Sequence, residues 1–173
     1  MLKNLDLSKL TYHVTDEQNG KTITCVSTCK RRYNKGTDVF EQTCQKQNLD
    51  PNTDFVAVKE QVCKAVLHLE EGVLTISSWF TNKDYMNNGA GKATLKEAVC
   101  YVLDVYGKPE KVEYVWNGSN EYVLEWLQKF DGECNCPIAV QKTQADDDWD
   151  SHVYTLNKQK FLDYIMADKK QNK

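Results

Sequence analysis

The segment Tyr85-Met86-Asn87-Asn88-Gly89-Ala90-Gly91-Lys92 sets two glycines and a lysine between an apolar run and an amphipathic one. If the first run is a strand and the second a helix, this segment presents the helix's opening N–H groups. Those groups have no intrahelical partner and lie at the positive end of the helix dipole. Glycines let an anion approach that backbone with no Cβ in the way. Asn87, Asn88, Gly89, Ala90, Gly91 and Lys92 are therefore the candidate ligands of a pyrophosphate, with the Lys92 ammonium adding charge. The same glycines equally make a tight strand-to-helix turn with no ligand at all. The spacing fits neither a dinucleotide fingerprint, which has a third glycine, nor the P-loop.

Other residues of chemical type are more dispersed. Asp146-Asp147-Asp148-Trp149-Asp150 groups carboxylates suited to a hard cation, but without the glycine and closing glutamate of an EF-hand it reads as a solvated hairpin loop or contact surface. Lys30-Arg31-Arg32 reads as a wet basic loop. The sequence holds seven cysteines. Cys25/Cys29 and Cys134/Cys136 lack zinc-knuckle spacing and His13, His68 and His152 are scattered, so no metal site is expected. The N-terminus carries an early acid and no long apolar stretch, which predicts reduced thiols in the cytoplasm.

The elements that must hold the glycine segment follow from periodicity. Leu10–Thr15 and Lys21–Ser27 flank Asn19-Gly20 and read as a hairpin. Thr37–Cys44 alternates as a third strand. Pro51–Leu69 reads as a helix begun by Asp50-Pro51, with Val58, Val62, Val66 and Leu69 in one stripe. After Gly72 come strand Val73–Phe80, helix Gly91–Tyr106, strand Lys111–Trp116, helix Asn120–Phe130, strands Pro137–Lys142 and Ser151–Leu156, and a last helix capped by Asn157. The expectation is one domain over residues 1–173, with a β-rich region over 1–50, an α/β region over 51–167 and a solvated tail over 168–173. Its class is α/β (mixed α+β): a central, mostly antiparallel sheet with βαβα-ββ order in the second half.

Over about residues 72–156 this order, with its glycine loop after a central strand, resembles the GCN5-related N-acetyltransferase (GNAT) family. Met86-Asn87-Asn88-Gly89-Ala90-Gly91 looks like that family's [QR]-x-x-G-x-[GA] loop, which grips the pyrophosphate of acetyl-CoA. Gly107 looks like the family's glycine after its long helix. Asn120, with Val123, Trp126 and Gly132 behind it, resembles its Asn-containing helix, so Asn120 joins the cofactor ligands the resemblance implies. Met86 stands where the family has Gln or Arg, and Leu127 where it has a tyrosine acid; Tyr114 and Tyr122 are near but outside the motif. The helix read over Pro51–Leu69 falls where the family has a β-hairpin. No catalytic residue is assigned, and Glu113 and His152 read as a surface charge and a structural side chain.

Composition bounds the function. The 40% apolar and 27% charged fractions are those of an ordinary folded chain. No run is long enough to span a membrane. A formal charge of −3 argues against nucleic acid as a partner. The resemblance implies an acyltransferase binding acetyl-CoA and acetylating a small amine or a protein lysine, with acyl-CoA and the amine as partners. The alternative is a non-catalytic, small acidic interaction or inhibitor protein of mobile-element or phage type, acting on a protein partner through Asp146–Asp150 or a sheet edge.

Overall fold

The computed structural model describes residues 5–17, 21–116, 122–134 and 152–167. One seven-stranded sheet runs through them in the order β1-β2-β3-β4-β5-β7-β6. The strands are β1 Thr11–Glu17, β2 Thr22–Asn34, β3 Phe55–Glu70, β4 Val73–Thr81, β5 Lys111–Trp116, β6 Glu133–Cys134 and β7 His152–Leu156. All neighbours are antiparallel except β4 and β5, which are parallel. The helices are α1 Asp38–Gln47, α2 Ala90–Tyr106, α3 Tyr122–Gln128 and α4 Lys158–Met166. The protein is mixed α+β, and its second half follows the expected order. The strand expected over Pro137–Lys142 lies outside the described residues.

Two expectations in the first half are corrected. Thr37–Cys44 is not a strand but the cap and body of α1. The Thr37 hydroxyl accepts from the Phe40 N–H at 3.1 Å, and Phe40 and Cys44, four residues apart, form the buried face. Pro51–Leu69 is not a helix: Asp50–Asp54 is a turn, and β3 begins at Phe55. A spacing of four is common to helix and strand, so Val58, Val62 and Val66 satisfy both periods. Leu69 breaks that strand count, but the strand does not keep it either: a bulge at Val62, where Ser27 faces Cys63 and Thr28 faces Gln61, sets Leu69 on the side of Val58 and Val62 and turns Val66 to the opposite side. The stretch Cys29–Arg32, expected as a loop, continues β2 to Asn34.

β3 returns into β4 through Glu71-Gly72, both at positive φ (52° and 80°), the twist a two-residue hairpin requires. α2 then crosses back over the sheet to start β5. It ends at Gly107, whose N–H bonds the carbonyls of Val102 and Leu103. The main core lies under this crossover. Leu74, Ile76, Val112 and Tyr114 of the parallel pair meet Leu95, Ala98, Val99 and Val102 of α2, with Leu127 of α3 and Phe161 and Ile165 of α4. α1 covers the far end of the same face, around Phe40, Cys44 and Val56. Thr22, Thr24, Val26 and Thr28 of β2 and Lys64, Val66 and His68 of β3 point the other way and belong to none of the buried clusters.

Two polar devices fix α2 and its entry loop to this frame. The Ser27 and Thr94 hydroxyls, both fully buried, lie 2.7 Å apart, and Trp79 Nε1 donates to the Gly91 carbonyl at 2.9 Å. Farther along β2 and β3, the Glu60 carboxylate accepts from the hydroxyls of Tyr33 (2.5 Å) and Tyr85 (2.6 Å) and faces Arg31 at 3.5 Å. Arg31 in turn pairs with Asp84 at 3.1 Å. Burial works to raise the Glu60 pKa, but the two phenol donors and the guanidinium outweigh it and leave it lowered. The same burial and hydrogen bond push Tyr33 up to about 12.

Because the Glu60 pKa is lowered on folding, its contribution is present at neutral pH and is lost as pH falls through the folded value. Glu60→Gln should lower stability at pH 7 by about 1.5–3 kcal/mol, the usual worth of hydrogen bonds to a charged group. That difference should shrink below the unfolded carboxylate value of about 4.3; denaturant melts across pH measure it. Gly91→Ala places a Cβ 3.1 Å from Thr81 Oγ1 and 3.5 Å from the Trp79 ring. It should cost about 1–3 kcal/mol, as overpacking does.

Candidate functional site

The parallel pair β4/β5 is short. Its register runs Val73↔Lys111, Leu74↔Val112, Thr75↔Glu113 and Ile76↔Tyr114, and no further. Beyond it β4 continues to Thr81 along β3, and β5 continues to Trp116 along β7. The two strands therefore part company, leaving a fork in the sheet. The cause lies one residue on. Leu67 faces Ile76 and Val66 faces Ser78, so Ser77 is an extra residue in β4, a bulge whose hydroxyl donates to the Val66 carbonyl at 3.1 Å. A bulge bends its strand and adds twist. It also resets the alternation, so that Trp79 and Thr81 face the helices instead of the opposite side.

Aromatic side chains line the helix side of the fork. The Trp126 ring of α3 lies 4.9 Å from Trp79 and 5.7 Å from Tyr114, centroid to centroid. Phe130, Phe161 and Tyr164 continue the cluster. Burial pushes the Tyr114 phenol up to about 12, so it keeps its proton throughout the neutral range.

β4 leads directly to the glycine segment. Asn82 caps the single turn Lys83–Tyr85, Asn87 adopts φ 65° and Gly89 φ 83°. α2 starts at Ala90 with no side-chain cap and no acid in its first turn, whereas Thr37 caps α1 and Asn157 caps α4. Its N-cap, Gly89, thus offers the opening N–H groups no side-chain acceptor. Lys92, Lys96 and Lys129 gather beside them. The Lys92 pKa is lowered, first by desolvation and then by the charges of Lys96 and Lys129. Its ammonium sits 4.0 Å from the centre of the Tyr164 ring, and that of Lys129 lies 5.9 Å away. Two neighbouring ammoniums that disfavour each other, next to uncapped amides, make a local field suited to an anion.

The residues expected from sequence fall as follows. Gly89, Ala90, Gly91 and Lys92 sit together at the helix start. Asn87 is exposed in the turn, and Asn88 reaches back to the carbonyls of Tyr85 and Met86 at 3.4 and 3.3 Å, bracing the turn. Ala90 is buried, and Met86 is exposed. Asn120 and the Asp146–Asp150 run lie outside the described residues. Glu113 pairs with Lys111 at 3.2 Å, and His152 lies against Trp116 on the helix-facing side of β7. Sequence reasoning missed the Ser77 bulge and the lysine trio. Lys92 and Lys96 share a helix face at i, i+4, which was visible in the sequence; the approach of Lys129 from another helix was not. Among the described residues no three of His, Cys, Asp and Glu gather to hold a metal, and no helix is long and apolar enough to cross a membrane.

No protein-family model matches the chain, and no curated protein does. Among solved structures it is similar to a nourseothricin acetyltransferase, at 11% identity over 86% of this chain and 84% of the other, with a TM-score of 0.48. It is also similar to Arabidopsis thaliana NAA60 in complex with a bisubstrate analogue, at 10% identity, 79% and 75% coverage and a TM-score of 0.47. A third is the ribosomal-protein-S18-alanine N-acetyltransferase from Escherichia coli, at 13% identity, 73% and 92% coverage and a TM-score of 0.42. Two of the three carry an acetyltransferase name, and all three are at identities too low to transfer chemistry from them to this chain.

Proposed function

We propose that the chain is an acyltransferase of the acetyl-CoA-dependent kind, working as a single domain in the cytoplasm and acylating an amine. The observation that carries this reading is the coupling of the fork to the anion site. One strand, β4, both parts from β5 at Ser77 and delivers the uncapped start of α2 with its lysines. A ligand with an anionic head and a long flexible arm ending in a thioester matches that pairing. Its phosphates would lie on the Gly89–Lys92 amides and the lysines, and its arm would run along the Trp79–Trp126 aromatics into the fork.

The chemistry asked of the fork is modest. A neutral amine attacks the thioester carbonyl, the C–S bond breaks, the thiolate leaves and the ammonium proton passes to water or a base. Among the described residues, the β4 backbone beyond Ile76 has no strand partner on its β5 side. An N–H from that stretch would donate to the carbonyl oxygen as it gains charge. Tyr114, protonated at neutral pH, can donate to a departing thiolate but cannot serve as the base. The alternative of an acidic interaction protein rested on Asp146–Asp150, which lies outside the described residues, or on a sheet edge, and no observation favours it.

Thermal melting with and without millimolar acetyl-CoA tests the reading. At about 100 times the dissociation constant the native state gains about 2.7 kcal/mol, a rise of about 5–10 °C for a chain of this size. Lys92→Glu with Lys129→Glu should abolish the rise, read against the double variant's own ligand-free melt, since Lys92 also gives up its contact with the Tyr164 ring. These changes are preferred to a Gly91 substitution, which would strain the Thr81 and Trp79 contacts whether or not a ligand binds. A well-folded parent that shows no rise refutes the cofactor.

A further inference from the structure

The described helices are all on one side of the sheet, and the side they leave bare is not uniform. On its β2–β3 extension, Lys30, Arg32, Lys59 and Lys64 all point away from the buried face, and all are exposed. Lys30 stands directly opposite Lys59 in the register, and Lys64 directly opposite Phe80. Like charges facing each other across a strand pair are destabilising. Nothing local offsets them: no carboxylate among the described residues pairs with any of the four cations. Of the nearby carboxylates, Glu60 and Asp84 are held by Arg31, Tyr33 and Tyr85, and Asp54, beside Phe55, makes no ion pair with any of the four. Glu17, Glu70 and Glu113 sit at the other end of the strands.

Aromatic rings are interleaved with these charges. Phe80 is 59% exposed and Phe55 is 43% exposed. The Arg32 guanidinium lies 3.8 Å above the Phe55 ring, so Phe55 already holds a planar cation on its face. The patch runs from the level of Val26 to that of Asn34 on β2, roughly 27 Å at the usual strand rise. Gln61, beside Lys59, adds an amide able to donate or accept. The formal charge of −3 averages over this face and conceals it.

We infer that this bare β2–β3 face binds single-stranded nucleic acid. The match is one of chemistry. A polyanion with evenly spaced phosphates answers an uncompensated row of cations, and unstacked bases answer exposed rings on a flat sheet. A duplex has no free base faces for Phe80 and Phe55, so it is the weaker ligand. The surface is separate from the acyl-CoA site, which uses the opposite face and the start of α2, and it stands whether or not that reading does.

Fluorescence anisotropy of a labelled oligo(dT) of about 12 nucleotides, titrated with the full chain, tests the assignment. Four phosphate contacts give a salt slope of about −2.8, so affinity should fall about 50-fold between about 50 and 200 mM salt. Lys30→Glu with Lys59→Glu should remove measurable binding at low salt. Lys30→Glu alone should fold and melt at or above the parent temperature, because it converts a like-charge pair into an opposite one, yet it should bind more weakly. Phe80→Ala should weaken binding about tenfold, the scale of one lost stacking contact, with the salt slope unchanged. Binding that ignores the lysine changes overturns the proposal. So does binding that is equally tight to poly-glutamate and indifferent to Phe80, which would mark an acidic protein surface as the partner.

Discussion

One extra residue in β4 organises the molecule. Ser77 is tied to the Val66 carbonyl and shifts every later side chain of the strand by one place. Without it Trp79 and Thr81 would point to the bare face and Phe80 to the helices. With it, Trp79 reaches the Gly91 carbonyl and Thr81 comes close enough to Gly91 to crowd a Cβ. The bulge also coincides with the last β4–β5 pair, so the parting of the strands and the seating of α2 share one cause. The start of α2 is thereby held over the mouth of the fork, whatever ligand it serves.

Much of this was legible in the sequence from Gly72 onward. A buried parallel pair and its crossover helix leave strong marks: the β-branched run Val73–Phe80, the stripe Leu95/Ala98/Val99/Val102, and Gly107 and Pro109 as stops. The first half was misread where two periods coincide. Residues four apart lie on one face of a helix and of a regular strand alike, and the Val62 bulge, which turns Val66 away from Val58 and Val62, leaves no mark in the spacing. α1 carried its own signal in Thr37, a capping hydroxyl placed three residues before Phe40, which the alternation of Val39 and Glu41 with Phe40 and Gln42 obscured. The glycine segment does stand between a strand and a helix, and its glycines have structural uses there: Gly89 serves its left-handed turn and Gly91 its close contact with Thr81, needs that exist without a ligand. Lys129 arrives from another helix, and no local pattern announces such an approach.

Correcting Pro51–Leu69 from helix to strand also changes what surrounds the site. The chain now enters β4 from the hairpin β3–β4, so the departure noted from the resembled family disappears at that point. In exchange, an element is missing from one side of the sheet. A helix over 51–69 had been available to cover a second face; as a strand it widens the sheet, and among the described residues no helix packs on its far side. Half-exposed threonines and valines tolerate this over much of that face, since β-branched side chains suit a pleated surface with one wet side.

The basic end of that face is harder to reconcile with stability alone. Some charges are satisfied locally: Glu60 collects two phenols and a guanidinium, Asp16 accepts from both Tyr101 and Tyr106, and Lys160 meets Asp131. Lys30 and Lys59 differ from the other lysines without an ion pair in standing directly opposite each other in the register. A single acid at either position would relieve the repulsion at no cost in packing, because both side chains are exposed. Exposed lysines placed singly need no explanation. Two facing each other, flanked by Arg32 and Lys64 and interleaved with exposed rings, form a surface whose mutual repulsion an anionic ligand lying across it would relieve.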